Sequence, residues 1–136
     1  MWLSIDNKSQ RPIYLQIVLQ IKEQVRKGDL KAGDELPSVR ELADSLGINM
    51  HTVRFAYLRL RDQGILNLRL GRRATINKII TPSDKAGVES EIQERLDEIT
   101  TDALLMGLTP ADLHKLLAKQ TQYLEKSKTN FEEPRS

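Results

Sequence analysis

Four polar side chains crowd into one short stretch of the chain: Asn49, His51, Thr52 and Arg54. Their chemistry is that of hydrogen-bonding to base edges and phosphates. Asn can form paired bonds to adenine, and Thr can bond a base or touch a thymine methyl. His can donate to a phosphate or a guanine acceptor, and Arg can reach either. Arg40 stands in the helical turn before them, and Arg72 and Arg73 follow in a basic loop where a phosphate or the electronegative minor groove would suit them. Each also has a plainer role available. Asn49 can be an N-cap alone, His51 a solvated ring, and Arg40 the partner of Asp44 at i+4. A charged hairpin tip also keeps a hairpin soluble. Arg59 and Arg61 lie at the far end of their helix and read as solvated or phosphate-adjacent.

Bond-breaking chemistry has no comparable support. There is no cysteine, no glycine-rich phosphate loop and no H-x-x-x-H, and the two histidines, His51 and His114, fall in different segments. Glu89, Glu91, Glu94, Asp97 and Glu98 read as the solvated side of a helix. The expectation is a non-enzyme with no metal and no cofactor.

The polar group needs a rigid support, and the stretch LPSVRELADSLGINMHTVRFAYLRL from Leu36 to Leu60 supplies one. Ser38 and Glu41 form an S-x-x-E capping box that starts a helix, with Leu42, Ala43 and Leu46 facing inward and Gly47 ending it. Asn49 opens a second helix whose buried face is Val53, Ala56, Tyr57 and Leu60, and Gly64 closes it. Two short helices joined by a tight turn make a helix-turn-helix, the second helix presenting its N-terminus to the major groove.

The flanking segments extend this unit. WLSI, Trp2 to Ile5, reads as a short strand. Pro12 then opens an amphipathic helix in which Ile13, Ile17, Ile21 and Val25 recur every four residues, and Gly28 ends it. KAGDELP reads as a turn. After the second helix, ILNLRL and ATINKII are strand-like runs around Gly71-Arg72-Arg73, with apolar residues at 66, 68 and 70 facing a core: a basic hairpin, or wing. Thr81-Pro82-Ser83 is the expected joint. Beyond it a helix capped by Ser83 or Asp84 runs to about Met106, its Val88, Ile92, Leu96 and Ile99 spaced for a helix–helix seam. Thr109-Pro110 restarts a last helix, which should bury Leu113, Leu116, Leu117 and Leu124.

Charge divides the same way. Residues 1–80 carry 14 basic and 8 acidic side chains, a net +6, and residues 81–136 carry 7 and 11, a net −4. The first half suits a polyanion partner and the second half does not. No apolar run approaches the ~20 residues of a membrane span, and the N-terminus lacks a signal-peptide layout, so a cytoplasmic protein without a membrane role is expected.

On these residues the chain resembles a known family. ELPSVRELADSLGINMHTVRFAYLRLRDQGIL looks like the winged-helix domain of GntR-type bacterial transcriptional regulators, with their L-P-S-x-R-x-L-A pattern, polar T-V-R segment and L-x-x-x-G-I ending. Pro12-Ile13-Tyr14 with Gln16-Ile17, and the Ala56-Tyr57 pair, are most similar to the YtrA-type subgroup, whose short two-helix extension serves dimerisation. The resemblance implies DNA contacts at Arg40, Asn49, His51, Thr52, Arg54 and Gly71. Two departures stand out: Met50 replaces the usual proline or arginine of the turn, and Arg73-Ala74 replaces the Gly-Thr of the usual wing tip.

The expected fold is therefore mainly α with a small β-hairpin wing. A winged helix-turn-helix DNA-binding domain spans 1–80, with the helix-turn-helix at about 39–58 and the wing at about 65–80. A dimerisation extension spans 81–126, with Val88, Ile92, Leu96, Ile99, Leu113, Leu116 and Leu117 as its seam, and a disordered tail follows over 127–136. The expected function is a bacterial homodimeric repressor reading a palindromic operator in double-stranded DNA. The alternatives are a winged-helix protein–protein module, or a regulator sensing a ligand or metal at the C-terminal helices. A small-molecule effector is left unidentified; the short extension offers little volume for a pocket of ~300 Å³ or more, so any effector site is expected at the dimer interface or between domains.

Overall fold

The computed structural model describes residues 2–79 and 83–127, which form two compact units. The first unit holds three helices, α1 (Ile13–Lys27), α2 (Val39–Leu46) and α3 (Met50–Asp62), and two short strands, β1 (Leu66–Asn67) and β2 (Thr75–Ile76). The second holds α4 (Lys85–Leu105) and α5 (Pro110–Ser127).

Helix α3 is the hub of the first unit, packed against α1, α2 and β1. Its Val53, Ala56, Tyr57 and Leu60 are the four buried positions expected from their spacing, and they meet Ile17, Val18 and Ile21 of α1 and Leu42 and Ala43 of α2 in one core. Removing aliphatic side chains such as Leu42, Val53 and Leu60 from water stabilises the fold by about 1.5–3 kcal/mol each. The Tyr57 hydroxyl donates to the Pro37 carbonyl at 2.7 Å, tying the α3 face to the chain just before α2. Gly47 ends α2 at φ 68, a left-handed conformation that a residue with a Cβ adopts only at a cost, and it permits the sharp turn into α3.

The segment Trp2–Asp6 is not the expected strand. It runs extended beside α1, and its backbone is satisfied by glutamine side chains rather than by a sheet neighbour. Gln20 accepts from the Ser4 N–H at 3.1 Å and donates to the Ser4 carbonyl at 2.7 Å. Gln16 does the same for Asp6, at 2.9 and 3.1 Å, and Gln24 donates to the Trp2 carbonyl at 2.9 Å. A four-residue helical step rises about 6 Å and a two-residue extended step about 6.6 Å, so glutamines at 16, 20 and 24 meet alternate residues of the segment. The arrangement turns Leu3 into the core at 1% exposure.

The wing also differs from expectation. The hairpin ladder is short: Leu66 pairs with Ile76 and Asn67 with Thr75, and Asn77 N–H donates to Ile65 O at 2.9 Å beside them. The segment expected to be a turn, residues 31–37, does turn at Lys31–Asp34, where Asp34 N–H donates to Lys31 O at 2.9 Å. It also supplies a third rung: Leu36 N–H donates to Ala74 O, Ile76 N–H to Asp34 O and Gly33 N–H to Ile76 O, at 2.8–2.9 Å. Leu66 is buried and Leu68 half-buried, but Leu70 lies beyond the edge of the core and is fully exposed.

In the second unit Asp84 caps α4, its carboxylate accepting from Gly87 N–H at 3.1 Å. Thr109 and Asp112 cap α5 reciprocally, at 2.9 and 3.1 Å. Helix α5 continues through Ser127, the first residue of the expected tail; the rest of that stretch, 128–136, lies outside the described residues, as do Thr81 and Pro82 of the expected joint. Ala103 is the buried apolar residue here, and Leu116 and Leu117, expected to be buried by α5, are each 52% exposed. Two helices alone present more apolar surface than their mutual contact can cover.

Candidate nucleic-acid interface

The start of α3 is built by Asn49. Its Oδ1 accepts the His51 N–H at 2.6 Å, satisfying one of the unpaired donors at the helix N-terminus. That bond uses one of the two lone pairs of Oδ1, so the second lone pair and the exposed amide nitrogen stay available to a base edge. His51 and Arg54 are exposed along the same edge of the helix, and Thr52 is half-buried. Met50, the departure in the turn, is 37% exposed at the first helical position.

Arg40 lies exposed in the first turn of α2 and forms no ion pair with Asp44. Its helix begins with the expected box: Glu41 N–H donates to the Ser38 hydroxyl at 3.1 Å, and Ser38 N–H to the Glu41 carboxylate at 2.9 Å. Glu41 also receives Arg73 of the wing, with 2.7 Å between guanidinium and carboxylate. The bond from Ser38, and secondarily the Arg73 charge, hold the Glu41 carboxyl below the usual carboxylate range. Burial, and to a lesser degree the Glu41 charge, push the Tyr57 hydroxyl well above its ordinary value, so it remains a neutral donor.

The basic residues of the wing therefore divide. Arg73 is held by Glu41, whereas Arg69 and Arg72 are exposed without an acidic partner among the described residues. The turn runs Arg69-Leu70-Gly71-Arg72, closed by Arg72 N–H to Arg69 O at 3.1 Å. Its tip is Leu70-Gly71 rather than the expected Arg72-Arg73. Gly71, at φ 76, occupies the third position of the turn, where a left-handed residue is needed. Beneath it, Glu35, Asn67, Arg69, Arg72, Arg73 and Thr75 line a cleft of about 390 Å³.

The far end of α3 is engaged otherwise. Arg59 lies over the Tyr14 ring at 5.6 Å, Tyr14 meets Phe55 edge-on at 4.7 Å, and Arg61 bonds Asp62 at 2.9 Å. No local pattern of residues signals the Glu41–Arg73 link or Leu70 at the tip, and Arg69 shows only as a polar position in an alternating run.

A helix-turn-helix with an open polar N-terminal edge, and a wing carrying free guanidinium groups, is joined by a direct match. Residues 13–76, from α1 through β2, match the bacterial regulatory proteins of the gntR family. The HTH-type transcriptional repressor YtrA of Bacillus subtilis (strain 168) is 36% identical over 128 residues, 94% of this chain and 98% of that protein. This chain belongs to the GntR family. The family's helix-turn-helix and wing account for the first unit, and the chain is a DNA-binding transcriptional regulator, not an enzyme. The HTH-type transcriptional regulator Rv1152 of Mycobacterium tuberculosis is 34% identical over 116 residues, covering 85% of this chain and 91% of that one.

Among solved structures, a protein described as a transcriptional antiterminator from Listeria monocytogenes EGD-e superposes with a TM-score of 0.72 at 34% identity, covering 91% of this chain and 92% of that one. YtrA from Sulfolobus acidocaldarius, a GntR-family transcription factor, gives 0.57 at 40% identity, over 71% of this chain and 99% of that one. The similarity to full-length relatives extends past the first unit into α4 and α5.

These two helices carry an exposed apolar stripe. Val88, Ile92, Leu96 and Ile99 of α4 are 37–56% exposed. A groove of about 550 Å³ lies between α4 and α5, lined by Leu96, Ile99, Leu104, Leu113, Leu116 and Leu117 among others. This is more volume than the short extension was expected to offer, because the helices leave their apolar flanks uncovered. Among the described residues no group of three or more His, Cys, Asp and Glu is placed to hold a metal ion, and no helix is long and apolar enough to cross a membrane.

Proposed function

We propose that this protein is a cytoplasmic repressor that binds a palindromic operator as a homodimer. The observation that carries the reading is the start of α3, where Asn49, His51 and Arg54 stand exposed on a helix whose opposite face is buried. Arg54 and the free amide of Asn49 read base edges in the major groove, Thr52 and His51 border them, and Arg40 holds the adjoining phosphate. Gly71 brings the wing backbone close to the duplex, and Arg72, with Arg69, contacts phosphates there. Arg73 contributes chiefly by holding the wing to α2.

The apolar stripe on α4 and α5 supports pairing of two copies through Val88, Ile92, Leu96, Ile99, Leu113, Leu116 and Leu117. Two-fold pairing sets two recognition helices against half-sites about one helical turn apart. Bound across a promoter, such a dimer represses by occupancy; the Bacillus subtilis relative is itself named a transcriptional repressor.

Selection of bound sequences from a random DNA pool tests the reading. An inverted repeat with half-sites spaced by about 10 base pairs is the expected result. Recovery of no enriched sequence, with binding equal on all DNA, overturns it.

A further inference from the structure

Among the described residues of the first unit, Leu70 is the one large apolar residue that is fully open, at 104% of the reference for an open chain, while Leu66 and Leu68 before it are buried and half-buried. It stands at the second position of the tight turn, next to a glycine around which a Cβ would meet nothing within 4 Å. Arg69 and Arg72, exposed and without an acidic partner among the described residues, stand on either side of it in the chain. A single exposed leucine means little by itself. A narrow tip with an apolar point between two cations has a more specific complement.

We infer that Leu70 enters the minor groove at the edge of each half-site and discriminates A·T from G·C pairs there. This rests on the DNA-binding reading above and adds a residue to it. The minor groove is about 6 Å wide, its walls are deoxyribose C–H groups, and its phosphates border it on both sides. A Leu-Gly turn flanked by arginines matches each of these in turn. Only the floor distinguishes sequences: A·T pairs leave it open, whereas guanine raises its N2 amino group into it. Leucine can neither bond that amino group nor yield to it, so burying Leu70 against the floor is favourable over A·T and obstructed over G·C. The narrow A·T groove also draws the flanking arginines most strongly.

Inosine separates this from any effect of the major groove, since an I·C pair keeps the major-groove face of G·C but lacks the N2 amino group. The operator enriched from the random pool is prepared with A·T, I·C or G·C at the pairs beneath the wing. The full-length protein should bind the first two about fivefold or more tighter than the third, in line with the usual penalty for one mismatched pair. Leu70→Ala and Leu70→Ser should reduce that ratio below about twofold while keeping discrimination at the pairs beneath α3. Their melting temperatures should match the parent, because the side chain is outside the core.

Equal binding of I·C and G·C by the parent protein overturns the inference, as does an undiminished ratio in Leu70→Ala. A changed oligomeric state in Leu70→Ala with the ratio intact overturns it in favour of a protein contact. Absence of any enriched operator removes the proposed function itself, and this inference with it.

Discussion

Arg73 of the wing and Glu41 of α2 are joined across 32 positions of sequence by an ion pair of 2.7 Å, and the same carboxylate closes the capping box on Ser38. The start of the helix-turn-helix and the base of the wing thus share one side chain. Both partners are about half exposed, so water screens the pair and it adds little stability by itself. Its larger effect is to take Arg73 out of competition for phosphate. Arg72→Ala should therefore lower the slope of log K against log salt by about one unit, and Arg73→Ala by less than half as much. Titration of operator binding over a range of salt concentrations checks this, and equal slopes for the two variants would place Arg73 on the DNA.

Glu41 also makes the fold sensitive to acid. Its carboxyl titrates below the usual range when folded, first because of the Ser38 N–H and then because of Arg73. Asp112 is likewise lowered by Thr109 at the start of α5. Between the ordinary carboxylate pKa and the lower folded value, the unfolded chain takes up a proton that the folded chain does not. The stabilisation is complete above that window and lost as pH falls through it. Melting temperature measured from about pH 6 down to about pH 3 should fall less steeply for Glu41→Gln than for the parent. Parallel curves would show that Glu41 makes no acid-labile contribution.

Asn49 combines a cap with a reading group, and two substitutions separate them. Asn49→Ser keeps an oxygen for the His51 N–H and should leave stability within a few tenths of a kcal/mol, whereas Asn49→Ala should cost about 1 kcal/mol. Both remove the amide donor, so both should weaken operator binding relative to random DNA. Urea unfolding and competitive binding on the two variants check this. Operator binding by Asn49→Ser at the parental level would reduce Asn49 to a cap.

Much of this unit was readable because its signals are local. The Ser38–Glu41 box, the Gly47 turn and the Val53, Ala56, Tyr57 and Leu60 face lie within one or two helical turns, where spacing determines contact. What was hidden depends on partners distant in sequence. WLSI reads as a strand because its residues favour extension, and nothing nearby tells that glutamines 16, 20 and 24 would satisfy its backbone. The turn read from Gly33-Asp34 is present, but nothing nearby tells that β2, about forty positions on, also recruits residues 33–36 as a rung. Leu70 continues a valid alternation, yet the sheet ends before reaching it. The seam on α4 was legible as a stripe, although the described chain leaves it uncovered.

Arg54 stands exposed one turn into α3 and forms no ion pair among the described residues. If its guanidinium bonds a base edge, Arg54→Ala should weaken operator binding by about 1–3 kcal/mol while random DNA loses much less. The comparison is made at one fixed salt concentration. Equal losses on the two DNAs would assign Arg54 to phosphate.

The apolar stripe of the second unit sets the last prediction. Leu96 and Ile99 are 38% and 56% exposed on α4 and line the groove beside α5. A glutamate at either position adds a charge to a surface that pairing would bury, and an unpaired buried charge opposes association strongly. Within a single chain the same glutamate remains hydrated, so helix content and melting of the first unit should be preserved. Leu96→Glu and Ile99→Glu should therefore sediment as monomers at concentrations where the parent is a dimer. Because two linked half-sites bind far more tightly than one, operator affinity should fall about a hundredfold or more. A parent protein that sediments as a monomer, or variants that remain dimeric, would move the pairing surface elsewhere on the molecule.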